Sequence, residues 1–216
     1  MKIAEKTELI VEALEKAYPE AVCSLVYEKP YELLIATMLS AQCTDARVNI
    51  VTKELFSAYT TLESIAAAES DEIAEHIKSC GLYRSKAKNI VSAARMLVSQ
   101  YGGELPDSID ELTKLPGVGR KTANLIMGDI FGQPAVVTDT HCIRICNRLG
   151  LTKNTEPYKV ECDLRKRLDP EKSSDFCHRL VLFGREYCSA RNPKCESCPV
   201  RAAFAEKNAV LKCITE

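Results

Sequence analysis

The sequence predicts an all-α fold, and three observations carry that prediction. Ala, Leu, Ile, Glu and Lys are abundant, aromatic residues make up only 6% of the 216 positions, and Trp is absent. This composition favours helices over sheets. Apolar residues recur at spacings of three and four, and no segment alternates with period two for long enough to make a strand. Ser, Thr and Asp stand where helices would start, and Gly and Pro where they would stop.

Residues 3–18 form an amphipathic pattern with Ile10, Leu14 and Tyr18 on one side, ended by Pro19. Pro30 opens a helix from Tyr31 to about Ala41 that is apolar on most sides, through Leu33, Leu34, Ile35, Met38 and Leu39, and so is expected to be buried. Thr44 or Asp45 caps the next, which runs to about Tyr59. A short helix spans Leu62 to Ala68, and Ser70 caps another that Gly81 terminates. Ser85 to Gln100 is closed by Gly102 and Gly103. Asp107 to Lys114, capped by Asp107 or Ser108, and Thr122 to Phe131, stopped by Gly132 and Pro134, form a pair around a tight turn. Helices near Thr140–Leu149, Pro157–Leu168 and Ser174–Tyr187 follow. Neither a linker nor a repeat marks a domain boundary.

The turn between the paired helices reads Leu115-Pro116-Gly117-Val118-Gly119-Arg120-Lys121-Thr122. Pro116 fixes one torsion, while Gly117 and Gly119 permit backbone angles and approaches that a side chain would block. Amide groups at such a helix start suit a phosphate oxygen. Lys121 sits there too, where the helix dipole and Arg120 disfavour a second cation and so favour a neutral, nucleophilic amine. Read alone, the turn is an ordinary helix corner with solvated basic residues. Eighteen residues beyond Lys121 comes Asp139, after the apolar run that ends Val136-Val137-Thr138. It reads either as a helix N-cap or as a carboxylate paired with Lys121, able to hold or deprotonate the amine.

The formal net charge of -1 suggests no nucleic-acid preference, but the charges are unevenly placed. Residues 23–111 carry 8 basic and 13 acidic groups, residues 112–153 carry 6 and 2, and residues 185–201 carry 4 and 2. The basic surplus gathers around the hairpin and the C-terminal cysteines. Eleven cysteines, an odd number, argue against a disulfide framework where the N-terminus lacks the apolar core that secretion needs. No apolar run could span a bilayer. A cytoplasmic protein is expected.

These residues carry a resemblance. Leu-Pro-Gly-Val-Gly-Arg-Lys-Thr-Ala-Asn from Leu115, followed by Asp139-Thr140-His141, resembles the helix-hairpin-helix DNA glycosylases, specifically the endonuclease III family. The similarity continues through Leu39-Ser40-Ala41-Gln42-Cys43-Thr44-Asp45, through Gly81-Leu82-Tyr83-Arg84-Ser85-Lys86-Ala87, and to the C-terminal cysteines. It implies a two-lobed fold with a DNA-binding cleft: residues 23–133 as a six-helix domain, and residues 1–22 with 134–216 as the second lobe. Lys121 and Asp139 would then lie on opposite sides of that cleft.

An enzyme acting on a base inside a duplex must extrude it and fill the gap. Gln42 and Leu82 match the positions that serve as plug and wedge in the family; without the resemblance, Leu82 reads as a core leucine and Gln42 as a loop residue. Gly117, Val118, Gly119 and Arg120 are the expected phosphate-binding residues, and His141 has a supporting role.

Cys188, Cys195 and Cys198 are separated by six and then two residues. Thiolates gathered by a Pro-containing loop suit a soft metal or an iron–sulfur centre. The family pattern then asks for a fourth cysteine after five more residues, where this sequence has Phe204. Three outcomes fit: Cys213 supplies the fourth ligand, the cluster keeps one open corner, or the loop survives by packing alone. The first three spacings, with Arg191 and Lys194, favour a [4Fe–4S] cluster over a zinc ion. Cys142 and Cys146, four apart on one helix, read as core residues.

The resemblance implies a bifunctional DNA glycosylase and abasic-site lyase for oxidised pyrimidines in duplex DNA, taken to act as a monomer. Two rivals remain. A monofunctional adenine–mismatch relative would lack the lysine and usually carries a further C-terminal domain. A non-catalytic hairpin protein would bind DNA without turnover.

Overall fold

The computed structural model describes residues 1–211 and 213, and the regular elements among them are helical. In chain order these are α1 (Ile3–Ala17), α2 (Pro30–Ser40), α3 (Asp45–Ala58), α4 (Leu62–Ala67), α5 (Ser70–His76), α6 (Tyr83–Tyr101) and α7 (Ile109–Leu112). After the hairpin turn come α8 (Arg120–Asp129), α9 (Thr140–Arg148), α10 (Pro157–Arg165), α11 (Ser173–Glu186) and α12 (Pro199–Glu206), with a 3₁₀ turn at Pro170–Lys172. Contacts divide the chain into two compact units, Cys23–Phe131 and Met1–Val22 with Gly132–Glu216. None of the described helices is long and apolar enough to cross a membrane.

The Cys23–Phe131 unit is built around α2. Pro30 supplies its first turn, and Glu32 turns back to accept from the amides of Glu28 and Lys29 at 2.8 and 3.2 Å. Helices α3, α6 and α8 pack against α2, so Leu33, Leu34 and Leu39 are fully buried. Helices α4 and α5 pack on the long α6, adding Ile65 and Ile73 to the core. Gly102 and Gly103, at φ 61° and 88°, end α6 in the left-handed backbone that glycine adopts without a Cβ penalty.

In the other unit α1 lies against α11 and α12, and α9 lies against α11. Ile10 and Leu14 meet a core that includes Phe176 and Phe183. The buried Arg179 ties α11 to α1, reaching Glu15 at 3.5 Å, Asp175 at 3.4 Å and the Tyr18 carbonyl at 3.3 Å.

Two elements differ from the sequence reading. Helix α5 ends at His76, well before Gly81, because Ile77 and Cys80 are drawn into the core and the Cys80 amide closes a turn onto the Ile77 carbonyl at 2.9 Å. Its cap is Glu69, not Ser70. Helix α12 has no counterpart in the sequence reading, although Pro199 at its first position and the Ala-rich Val200–Glu206 are its signal.

Candidate active site

The hairpin is assembled from short-range bonds. Ser108 caps α7 by accepting from the Glu111 amide at 3.2 Å, and the amides of Leu115 and Val118 close successive turns onto Leu112 and Leu115. Leu115 and Val118 are buried and anchor the turn from inside. Val118 thus commits both its side chain and its amide to the turn itself. Gly117 has φ 79°, and a Cβ there would lie 2.8 Å from Cβ of Asn89 on α6. Gly119 is the opposite case: it precedes α8 at φ -96°, and a Cβ there would meet nothing within 4 Å. No side chain caps α8, and Arg120 and Lys121 occupy its first two positions, both exposed. The result is a helix start that combines unfilled space, amides and two cationic side chains.

Gln42 and Leu82 share an unusual backbone. Both have φ 58°, in the left-handed region that side chains rarely occupy, and both are exposed, Leu82 at 63%. A leucine so exposed and so strained is not a core residue, and the strain is held by its surroundings. Lys86, buried on α6, donates its ammonium to the carbonyls of Leu39 and Ala41 at 2.8 and 2.6 Å. Its own amide bonds the Leu82 carbonyl at 3.0 Å. A Cβ on Gly81 would lie 3.5 Å from the Gln42 carbonyl, so the two loops touch. Next to them Cys43 and Cys80 approach with their sulfurs 3.8 Å apart. Burial lowers the Lys86 pKa, and burial followed by the Cys43 contact pushes the Cys80 thiol up to about 11. Lys86, Cys43 and Cys80 stand within or beside the sequence motifs, but nothing in their spacing signals these roles.

In the second unit, Ala135, Val136, Val137 and Thr138 are buried and deliver Asp139 to the start of α9. The Val137 amide rests on the Cys177 sulfur at 3.3 Å. Asp139 is the N-cap, its Oδ1 accepting from the Cys142 amide at 2.7 Å. One carboxylate oxygen is thereby fixed, which orients the group without consuming it. His141 packs over Gly184, where a Cβ would lie 2.3 Å from its Nδ1, and that nitrogen also stands 3.3 Å from the Arg144 guanidinium. A guanidinium only donates, so Nδ1 can take part in this contact only as the acceptor.

Arg144 and Arg148 extend α9 toward the cysteine loop. Arg144 donates to the Cys188 carbonyl at 2.9 Å, and Arg148 to the carbonyls of Ser189 and Ala190 at 2.6 and 2.7 Å. Cys188, Cys195, Cys198 and Cys213 line one cavity, together with Arg148 and Arg201. Burial raises the thiols of Cys198 and Cys213. Four thiols converging on one cavity suit an iron–sulfur cluster, because soft sulfur donors match soft iron. Phe204 is buried on α12, and Cys142, Cys146 and Cys177 are buried in the core.

Comparison with known proteins agrees with this geometry. Residues 35–170 match the model of the HhH-GPD superfamily base excision DNA repair proteins, and residues 188–202 match the iron-sulfur binding domain of endonuclease III. The endonuclease III of Bacillus subtilis (strain 168) is 45% identical over 203 residues, covering 94% of this chain and 93% of that protein. A solved structure of a trapped endonuclease III–DNA covalent intermediate aligns with TM-score 0.88 at 45% identity, covering 94% of this chain and 96% of that one. A non-covalent endonuclease III–DNA complex aligns with the same TM-score at 43% identity, covering 96% and 100%.

Proposed function

Because this chain belongs to the HhH-GPD superfamily of base excision DNA repair proteins, and within it to the endonuclease III family, we propose that its chemistry runs through Lys121 and Asp139. The protein is a DNA glycosylase and abasic-site lyase that removes oxidised pyrimidines from duplex DNA. The observation that carries the assignment is the exposed Lys121 on the uncapped first turn of α8, beside the open space at Gly119.

Lys121 attacks C1′ of the damaged nucleotide as the neutral amine. The glycosidic bond breaks with its electron pair leaving on the base, which is protonated, and the amine gives up protons to form an imine with the opened sugar. The imine acidifies the neighbouring C2′ proton. Its removal drives β-elimination, which breaks the C3′–O bond and cuts the strand. Asp139, held by the Cys142 amide through one oxygen, assists as base and as electrostatic partner of the cationic transition state.

Gln42 and Leu82 fill the space vacated by the extruded nucleotide, Gly117, Gly119 and Arg120 engage the backbone, and His141 supports the Asp139 loop. Cys188, Cys195 and Cys198 hold the cluster, which when bound shapes a basic loop for the DNA backbone and takes no part in bond breaking. The enzyme works as a monomer in the bacterial cytoplasm, where the chromosome lies.

Borohydride reduction tests the assignment. A native protein–DNA adduct that is lost in Lys121→Gln is expected. A native chain that excises bases but traps no adduct is monofunctional, and one that binds damaged duplex without turnover is a binding module.

A further inference from the structure

We infer that Cys213 is the fourth ligand of the cluster, so that a cysteine beyond α12 replaces the one that the family pattern places at position 204. The inference rests on the cofactor reading above and adds a residue outside the matched segment 188–202.

Three features of the fold carry it. First, Phe204 is 2% exposed and belongs to the core where α12 packs on α1, so position 204 serves packing. Second, the chain reverses directly after α12. Asn208 adopts φ 52°, its amide bonds the Ala205 carbonyl at 2.9 Å, and the Ala209 amide returns to the Phe204 carbonyl at 2.9 Å. A left-handed residue closing a helix in this way turns the following stretch of chain back along the helix. Third, the returning segment is seated. Leu211 is buried at 8%, and Ala209, Val210 and Leu211 line a depression shared with Cys195 and Arg201. This path ends with Cys213 in the wall of the cavity that Cys188, Cys195 and Cys198 already line.

Cys213 binds iron as the thiolate, releasing its proton to solvent as the other three do. With Cys213, four thiolates would complete the usual ligand set of a [4Fe–4S] cluster.

The test is made on the full chain purified without oxygen. The native protein should carry about four irons and four acid-labile sulfides per chain. Cys213→Ser should lose about a quarter of the iron on mild oxidation and develop the paramagnetic signal of a three-iron cluster, while Cys162→Ser should match the native chain. Alkylation mapped by mass spectrometry gives an independent readout on the unaltered protein: Cys213 should be protected together with Cys188, Cys195 and Cys198, and all four should become reactive once the cluster is destroyed. Free alkylation of Cys213 in the iron-loaded chain, or unchanged iron content and oxidation behaviour in Cys213→Ser, overturns the inference. A native chain without iron overturns the cofactor reading itself.

Discussion

The ammonium of Lys86 lies 2.6 Å from the carbonyl oxygen of Ala41, and this bond fastens the end of α2 to the first turn of α6. With its second bond, to Leu39, it holds the two loops whose tips are Gln42 and Leu82. Replacing the ammonium by an apolar group of similar length leaves two carbonyls without a donor. Lys86→Met should therefore cost about 1–3 kcal/mol in stability. If Gln42 and Leu82 act on base extrusion as proposed, excision from paired DNA should fall more than cleavage of a ready-made abasic site. Equal loss on both substrates would contradict a positioning role.

The two hairpin glycines should respond differently to the same methyl group. Gly117→Ala forces a side chain into left-handed backbone and against Asn89, and should destabilise the fold by about 1–3 kcal/mol. Gly119→Ala meets open space and should leave the thermal midpoint nearly unchanged, yet weaken DNA binding, since the methyl group would occupy the proposed phosphate site. Denaturation and a binding isotherm at fixed salt separate the two effects.

Asp139 caps α9 and is proposed to be the catalytic carboxylate, and two substitutions separate these roles. Asn caps a helix about as well as Asp, so Asp139→Asn should hold stability within about 0.5 kcal/mol, while Asp139→Ala should lose about 1 kcal/mol. Both should reduce turnover by about 10²–10⁴. Full activity in Asp139→Asn would make the carboxylate structural only.

Alkaline pH should loosen the Cys23–Phe131 unit. Burial pushes the thiols of both Cys80 and Cys23 up to about 11 from 9.0, so the unfolded chain ionises them first and the native state holds more protons in between. Their contribution is complete below pH 9 and is lost as pH rises toward 11. Lys86, lowered by burial, acts with the opposite sign, its cost easing as pH climbs to 10.5. Urea midpoints should fall between pH 9 and 11, and less steeply in Cys80→Ala; parallel profiles would rule out the thiol as the cause.

Helices α1 to α11 and the hairpin were legible in the sequence, which also offers Lys121 and Asp139 as a candidate pair, whereas α12 was missed. The legible features depend on chain neighbours: apolar spacing sets each helix face, Pro30 and Thr44 mark starts, Gly102 and Gly117 mark turns, and motif spacing singles out the two residues proposed to react. Boundaries such as the end of α5 were illegible, because they follow from the burial of Ile77 and Cys80 rather than from a local stop. It took the folded chain to establish that Leu82 stands exposed, that Lys86 bonds carbonyls 47 and 45 residues away, and that Cys213 returns to the cysteine cavity. Each of these arises from contacts between residues distant in the chain, and such contacts leave no periodic trace in the sequence.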